Sequence, residues 1–202
     1  MLLAIDTSAG TSVAVVDRDL GILAERSSAD PRGHAELVGS LLRECLDESG
    51  IAVTALSGVV AGMGPGPFTG LRVGIAAARA FAFGAGKPLV PVPSHDAIAF
   101  GHDEPIVVTT DARRREVFYS VYDGTDAAGL PIRTAGPALA KVEGFTAPAG
   151  HTLIAASEVS AASLGLLAEA WYVAGRAFPP DEPLYLRSPD VTISTGPKRV
   201  TG

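Results

Sequence analysis

The feature that most constrains this chain is a pattern that occurs twice. "LLAIDTSAGTSVAVVD" at 2–17 sets an apolar run ending in Asp6, a turn, and an alternating run closing at Asp17. "PIVVTTDARRREVFYSVYD" at 105–123 has the same plan, with Asp111 and Asp123 in the matching places. The paired aspartates stand 11 apart in the first copy and 12 in the second. A plan repeated in this way reads as an internal duplication, resting on the pattern of one hairpin. Two copies of a strand hairpin call for two sheets, each needing cover for its apolar face.

Around the first hairpin the expected order is βββαβαβα. "ILAERSS" (22–28) adds a third strand through the turn "DLG", giving an antiparallel meander. Asp30 offers an N-cap and Pro31 a first helical residue. The helix that follows carries Leu37, Val38, Leu41, Leu42, Cys45 and Leu46 at helical spacing and ends at Gly50. "LSGVVAG" (56–62) is a strand, and Thr69 caps a helix to about Phe83. "PLVPV" (88–92) is an edge strand because of its prolines, and 94–101 is a short helix. The second copy is shorter. It has a third strand near 131–136, an irregular stretch to about 150, and a helix over 158–176 with Leu164, Leu167, Ala168 and Trp171 in its apolar stripe. Pro179 and Pro180 stop that helix, and 182–187 is an extended piece. The fold class is therefore α/β, two duplicated βββα-type domains with mixed sheets, the second reduced. Residues 1–100 form the first domain, 101–190 the smaller second, and 191–202 a flexible tail.

Composition removes several functions. With 47% hydrophobic residues in 202, the chain can bury a substantial core. A net charge of −6 with 16 scattered basic residues argues against this chain alone gripping nucleic acid. Its one basic cluster is "ARRRE" at 112–116, where Arg113, Arg114 and Arg115 are either solvated surface or phosphate contacts in an assembly. Cys45 is the only cysteine, and the histidines at 34, 95, 102 and 151 lack the spacing that sets two imidazoles on one helix face. No cofactor or metal is expected. "MLLAID" lacks the features of a leader, and the longest apolar run is broken by Arg79, so a soluble cytoplasmic protein with no membrane contact is expected.

"GMGPGPFTGLRVG" (62–74) resembles a phosphate loop but fits neither register. It has no Lys for a Walker A loop, the third glycine comes one place early for a dinucleotide fingerprint, and its prolines lack N–H groups. The helix beyond says more. Gly70, Gly74 and Ala78 form a small-residue ridge, and a glycine inside a helix costs about 1 kcal/mol against alanine. Such a ridge lets another backbone come close, either a second subunit or the chain's own core. With Arg72 and Arg79 as rim charges, the expected partner surface is His34, Leu37, Leu41 and Cys45 of the first helix with Gly70, Arg72, Gly74, Ala78 and Arg79 of the second. Asp6 and Asp111 close strands, and two carboxylates alone do not make a catalytic site.

"AIDTS", "RGHAELVGSLL", "GPGPFTGLRVGIAAARAFA", "PVPSHDAIA", "DARRREVFYSVY" and "PLYLR" together resemble the TsaB (YeaZ) family, in family order over almost the whole chain. The resemblance implies an actin-like ATPase (ASKHA) fold of two duplicated domains. It implies a part in making N6-threonylcarbamoyladenosine at position 37 of tRNAs reading codons that start with A. The implied role is a non-catalytic subunit that binds and enables the transferase TsaD, with TsaE as ATPase partner, homodimers when alone, and tRNA met only in the complex. The alternative is a stand-alone ASKHA-type ATPase or phosphotransferase. Against that alternative, Ser8 stands where such enzymes have a glycine after the strand-end aspartate, and "DTSAGTS" makes a poor phosphate hairpin. The H-x-x-x-H pair typical of TsaD is missing from the sequence, and a metalloprotease reading fails on ligand spacing.

Overall fold

A computed structural model describes residues 1–29 and 33–187. The expected helix start at Asp30 and Pro31 and the expected tail at 191–202 lie outside the described residues. In chain order the elements are β1 (Leu2–Asp6), β2 (Thr11–Asp17), β3 (Gly21–Ser28), α1 (His34–Ser49), β4 (Gly58–Gly62), α2 (Phe68–Ala85), β5 (Leu89–Val92) and α3 (Ser94–Ala99). They continue with β6 (Pro105–Asp111), β7 (Glu116–Thr125), β8 (Pro131–Lys141), β9 (Thr152–Ala156) and α4 (Ala161–Val173).

The strands form two sheets, ordered β3-β2-β1-β4-β5 and β8-β7-β6-β9. In the first, β1 runs antiparallel to β2 and parallel to β4, with Asp6 opposite Ser12. In the second, β6 runs antiparallel to β7 and parallel to β9. The meander and its added parallel strand thus recur in the same order and direction. The second copy is reduced: β8 reaches β9 through irregular chain, where the first copy has α1, and among the described residues no counterpart of β5 extends its sheet.

The period-2 alternation of β1 and β2 assigns each face of the first sheet its cover. Leu3, Ile5, Val13 and Val15 point into one apolar cluster with Val38, Leu41 and Cys45 of α1 and Leu71, Ile75 and Ala78 of α2. Leu2, Ala4, Ala14 and Val16 point the other way, onto Ala161, Leu164, Leu167 and Ala168 of α4. So α4, which follows the second sheet in the chain, packs on the first. Its N-terminus is fixed there by Ser160, whose Oγ accepts from Ser163 N at 3.0 Å. The Glu25 carboxylate of β3 accepts from Ala162 N at 3.0 Å and from Ser160 Oγ at 2.8 Å, a negative group at a helix N-terminus. The sequence division at 100 and 101 falls in the turn between α3 and β6.

Boundaries shift for local reasons. The helix expected from Thr69 begins at Phe68, because Pro67 already holds extended geometry (φ −59°, ψ 136°) as the residue before it. The strand β9 was not foreseen. Edge strand β5, with Pro91 within it and Pro88 just before it, sits where the sequence placed it.

Candidate functional site

The loop 62–67 is a close-packing device. A Cβ on Gly62 would lie 1.8 Å from Oδ2 of Asp6, so no other residue fits beneath that carboxylate. Asp6 is buried, and both its oxygens are engaged. Oδ1 accepts from Ser8 N at 2.7 Å and Ser8 Oγ at 2.6 Å, and Oδ2 accepts from Ser94 Oγ at 2.5 Å. Burial pushes its carboxyl above the usual range, opposed by the serine hydrogen bonds. The strand-end aspartate is thus turned inward, its oxygens directed at two serine hydroxyls.

Thr7, the next residue, joins β1 to α2. Its Oγ1 donates to Gly70 O at 2.6 Å and accepts from Gly74 N at 2.9 Å. A Cβ on Gly74 would stand 2.3 Å from that Oγ1, and one on Gly70 would stand 2.7 Å from Thr7 O. The small-residue ridge therefore faces the chain's own β1. Gly70, Gly74 and Ala78 are buried in the single chain, which corrects their expected exposure to a partner. Leu41 and Cys45 are corrected likewise, since both are buried on the same core. Cys45 Sγ donates to Val13 O at 3.1 Å, and burial pushes its thiol up to about 11.

The remaining expected residues divide. Leu37 is half-buried against the first core. His34 Nδ1 lies 2.7 Å from Thr11 Oγ1, at the wall of a cleft between the two sheets. Arg72 is exposed, with its guanidinium 4.7 Å from the Phe68 ring centroid. Arg79 is exposed too, but forks onto Asp181 at 3.2 and 2.7 Å. Between Asp181 and Arg187 the chain is held down: Leu184 N donates to Met63 O, the Tyr185 ring packs tilted against Phe68, and Arg187 reaches Ala112 O and Glu116. What the sequence reading missed on α2 is the outward stripe. Ala76, Ala80 and Phe83 share a face with Arg72 and Arg79, and Phe83 is 91% exposed. Its signal was present, because Ala76, Ala80 and Phe83 are apolar residues at helical spacing opposite the glycine ridge.

The cleft has a volume of about 440 Å³, with Ser8, Gly10, His34, Gly70, Asp111 and Arg113 among its lining. Behind it, three consecutive residues of α3 bracket the two sheets. Ser94 holds Asp6, as described. His95 is fully buried between Ser120 Oγ and Thr110 Oγ1, both at 2.9 Å, and burial lowers its imidazole to about 3, keeping it neutral. Asp96 accepts from Tyr122 OH at 2.7 Å and pairs with Arg133 at 3.4 Å. Burial raises the Asp96 carboxyl, and the Arg133 charge opposes this.

At the end of the second sheet that borders the cleft, the β6–β7 turn has unusual backbone. Arg113, Arg114 and Arg115 have φ of 64°, 54° and 61°. Glu116 N donates to Arg113 O at 3.0 Å, which closes a tight turn with Arg114 and Arg115 as its central pair. Positive φ at both central residues is the condition that favours Asn-Gly in hairpins. For other L-residues this region costs roughly 1–2 kcal/mol each. Asp111 steadies the turn by accepting from Arg113 N at 2.9 Å.

Two mixed sheets of repeated topology, with helices on both faces of the first and a cleft between them, define an actin-like α/β protein. The family described as "TsaD: tRNA N6-adenosine threonylcarbamoyltransferase" matches residues 15–175, and the chain belongs to that family, on its TsaB (YeaZ) side. An uncharacterized protein of Mycobacterium tuberculosis H37Rv is 40% identical over 198 residues, covering 94% of this chain and 92% of its own length. The tRNA threonylcarbamoyladenosine biosynthesis protein TsaB of Haemophilus influenzae is 35% identical over 125 residues, 59% of this chain and 52% of that protein. The solved structure of YeaZ from Pseudomonas aeruginosa is similar with a TM-score of 0.73 at 25% identity, covering 92% of this chain and 99% of that one. Among the described residues, no helix is long and apolar enough to cross a membrane.

Proposed function

We propose that this chain is a scaffold subunit in threonylcarbamoyladenosine biosynthesis. It binds a TsaD-type transferase and enables threonylcarbamoyl transfer to adenosine 37 of tRNAs reading codons that start with A. Catalysis resides in the transferase, TsaE acts through the complex, and the free chain pairs with itself through the same face. The relatives named TsaB and the family match support the pathway. The observation that carries the partner reading is the outer face of α2, where Phe83 stands 91% exposed beside Ala76 and Ala80. An aromatic side chain flanked by small residues is the makeup of an interface anchor. Arg72 and Arg79 border it and supply orientation more than affinity. Leu37 of the neighbouring helix adds apolar area beside it, whereas His34 lines the cleft against Thr11.

The cleft favours the other reading, a stand-alone ASKHA-type ATPase or phosphotransferase. Against it stands Asp6, whose two oxygens are engaged by Ser8 and Ser94. Light scattering of the chain with and without its transferase, beside an ATPase assay of the chain alone, separates the two. Assembly is expected, with Phe83→Ala leaving the melting temperature unchanged while weakening association by about 2 kcal/mol. Normal assembly of Phe83→Ala refutes the surface. ATP turnover by the isolated chain that Asp6→Ala abolishes refutes the scaffold role.

A further inference from the structure

The β6–β7 turn is a place where local chemistry and sequence disagree. Its two central positions have φ of 54° and 61°, yet they hold Arg114 and Arg115 in place of the Asn and Gly such a turn favours. Arg113 before them is in the same region, at 64°. A local rule broken three times running, in an otherwise consistent hairpin, marks residues kept for their side chains. All three are exposed, and Lys141 adjoins them at the end of β8, where Val142 N donates to Arg115 O at 2.9 Å. Among the described residues, the acidic groups beside the turn are Asp111, Glu116 and Glu143. Glu116 is taken by Arg187, and Asp111 is turned onto Arg113. Arginine's planar fork suits phosphate oxygens.

We propose that the Arg113–Arg114–Arg115 turn, with Lys141, is a contact site for the phosphate backbone of tRNA in the assembled transferase complex. This rests on the scaffold reading above, since a chain of net charge −6 does not hold RNA by itself. The site is sequence-independent, because exposed arginines on a hairpin tip read charge and spacing, not base edges. An RNA occupant is favoured over an acidic protein surface because the turn lies on the second sheet, whereas the exposed apolar stripe suited to a protein lies on α2 of the first.

The test is the double variant Arg114→Asn/Arg115→Gly, which installs the residues the turn geometry favours. The complex with the transferase is formed first, checked by light scattering, and then titrated with a transcribed tRNA reading an A-starting codon at several salt concentrations. Expected are an unchanged or raised melting temperature, normal assembly, and tRNA affinity lowered roughly tenfold. The slope of log affinity on log salt becomes shallower by about 2, one for each arginine that no longer meets a phosphate. Lys141→Gln, which leaves the turn intact, lowers the slope by about 1. An unchanged affinity and slope in the double variant overturns the proposal. So does loss of assembly in the double variant, which would make the turn a protein contact. Failure of the wild-type chain to assemble refutes the scaffold reading itself, and is seen before any tRNA is added.

Discussion

Replacing Gly74 by alanine tests the closest contact between α2 and the sheet beneath it. The new Cβ would lie 2.3 Å from Thr7 Oγ1 and 3.0 Å from its Cγ2, more than 1 Å inside ordinary contact for the first. Thr7 must turn away, and its hydrogen bonds to Gly70 O and Gly74 N are broken. Two buried hydrogen bonds amount to about 1–3 kcal/mol, and overpacking adds about 1–3 kcal/mol. Against this, alanine gains about 1 kcal/mol in helix propensity. The net is a destabilisation of about 1–5 kcal/mol, or a melting temperature lower by roughly 2–20 °C for a chain of this size. Urea unfolding followed by circular dichroism measures it, with the midpoint shifted and the slope unchanged. Thr7→Ala removes the colliding atoms, so the double variant should recover about 1–2 kcal/mol relative to the sum of the singles. A Gly74→Ala protein as stable as wild type, or singles that simply add, would refute the placement of this glycine against β1.

Cys45 should resist alkylation at pH 8 in the native state and react fully in urea, since its thiol is buried and held near 11; rapid native labelling would contradict that burial. Stability should also carry the mark of His95. The folded imidazole titrates near 3 while the unfolded one titrates near 6.5, so on acidification the unfolded state takes up a proton that the native state refuses. This contribution is complete above pH 6.5 and is lost as pH falls toward 3, by about 1 kcal/mol per pH unit between pH 5 and 6. His95→Gln should flatten the stability curve there in urea melts, and an unaltered slope would show that His95 is not the group responsible.

Much of the fold was legible because its strongest signals were periodic. Alternation in 2–17 and 105–123 gave both hairpins, and helical spacing gave α1 and the inner stripe of α4. Strand β9 escaped because "TLIAA" is short and follows ten irregular residues, and its partner β6 is 46 positions away in sequence. Of the residues expected at a partner surface, Leu41, Cys45, Gly70, Gly74 and Ala78 are buried in the chain's own core. Small residues at four-residue spacing report a close approach, and spacing cannot say whether the approaching atom belongs to another chain or to Thr7 of this one. The three positive-φ arginines were visible as charge only, because a turn's dihedrals are set by the register of its strands.

The crossing of α4 back onto the first sheet has a consequence for synthesis. When the ribosome has released the first hundred residues, Leu2, Ala4, Ala14 and Val16 have no α4 against them, because Leu164 and Leu167 come some 150 residues later. The nascent first half thus carries one covered apolar face and one awaiting its helix, a species prone to stick to other chains. Final closure joins segments about 150 residues apart, the kind of long-range pairing that slows folding. A chain stopped short of α4 should accumulate on chaperones or in aggregates, and supplying residues 158–187 as a separate peptide should return it to solution.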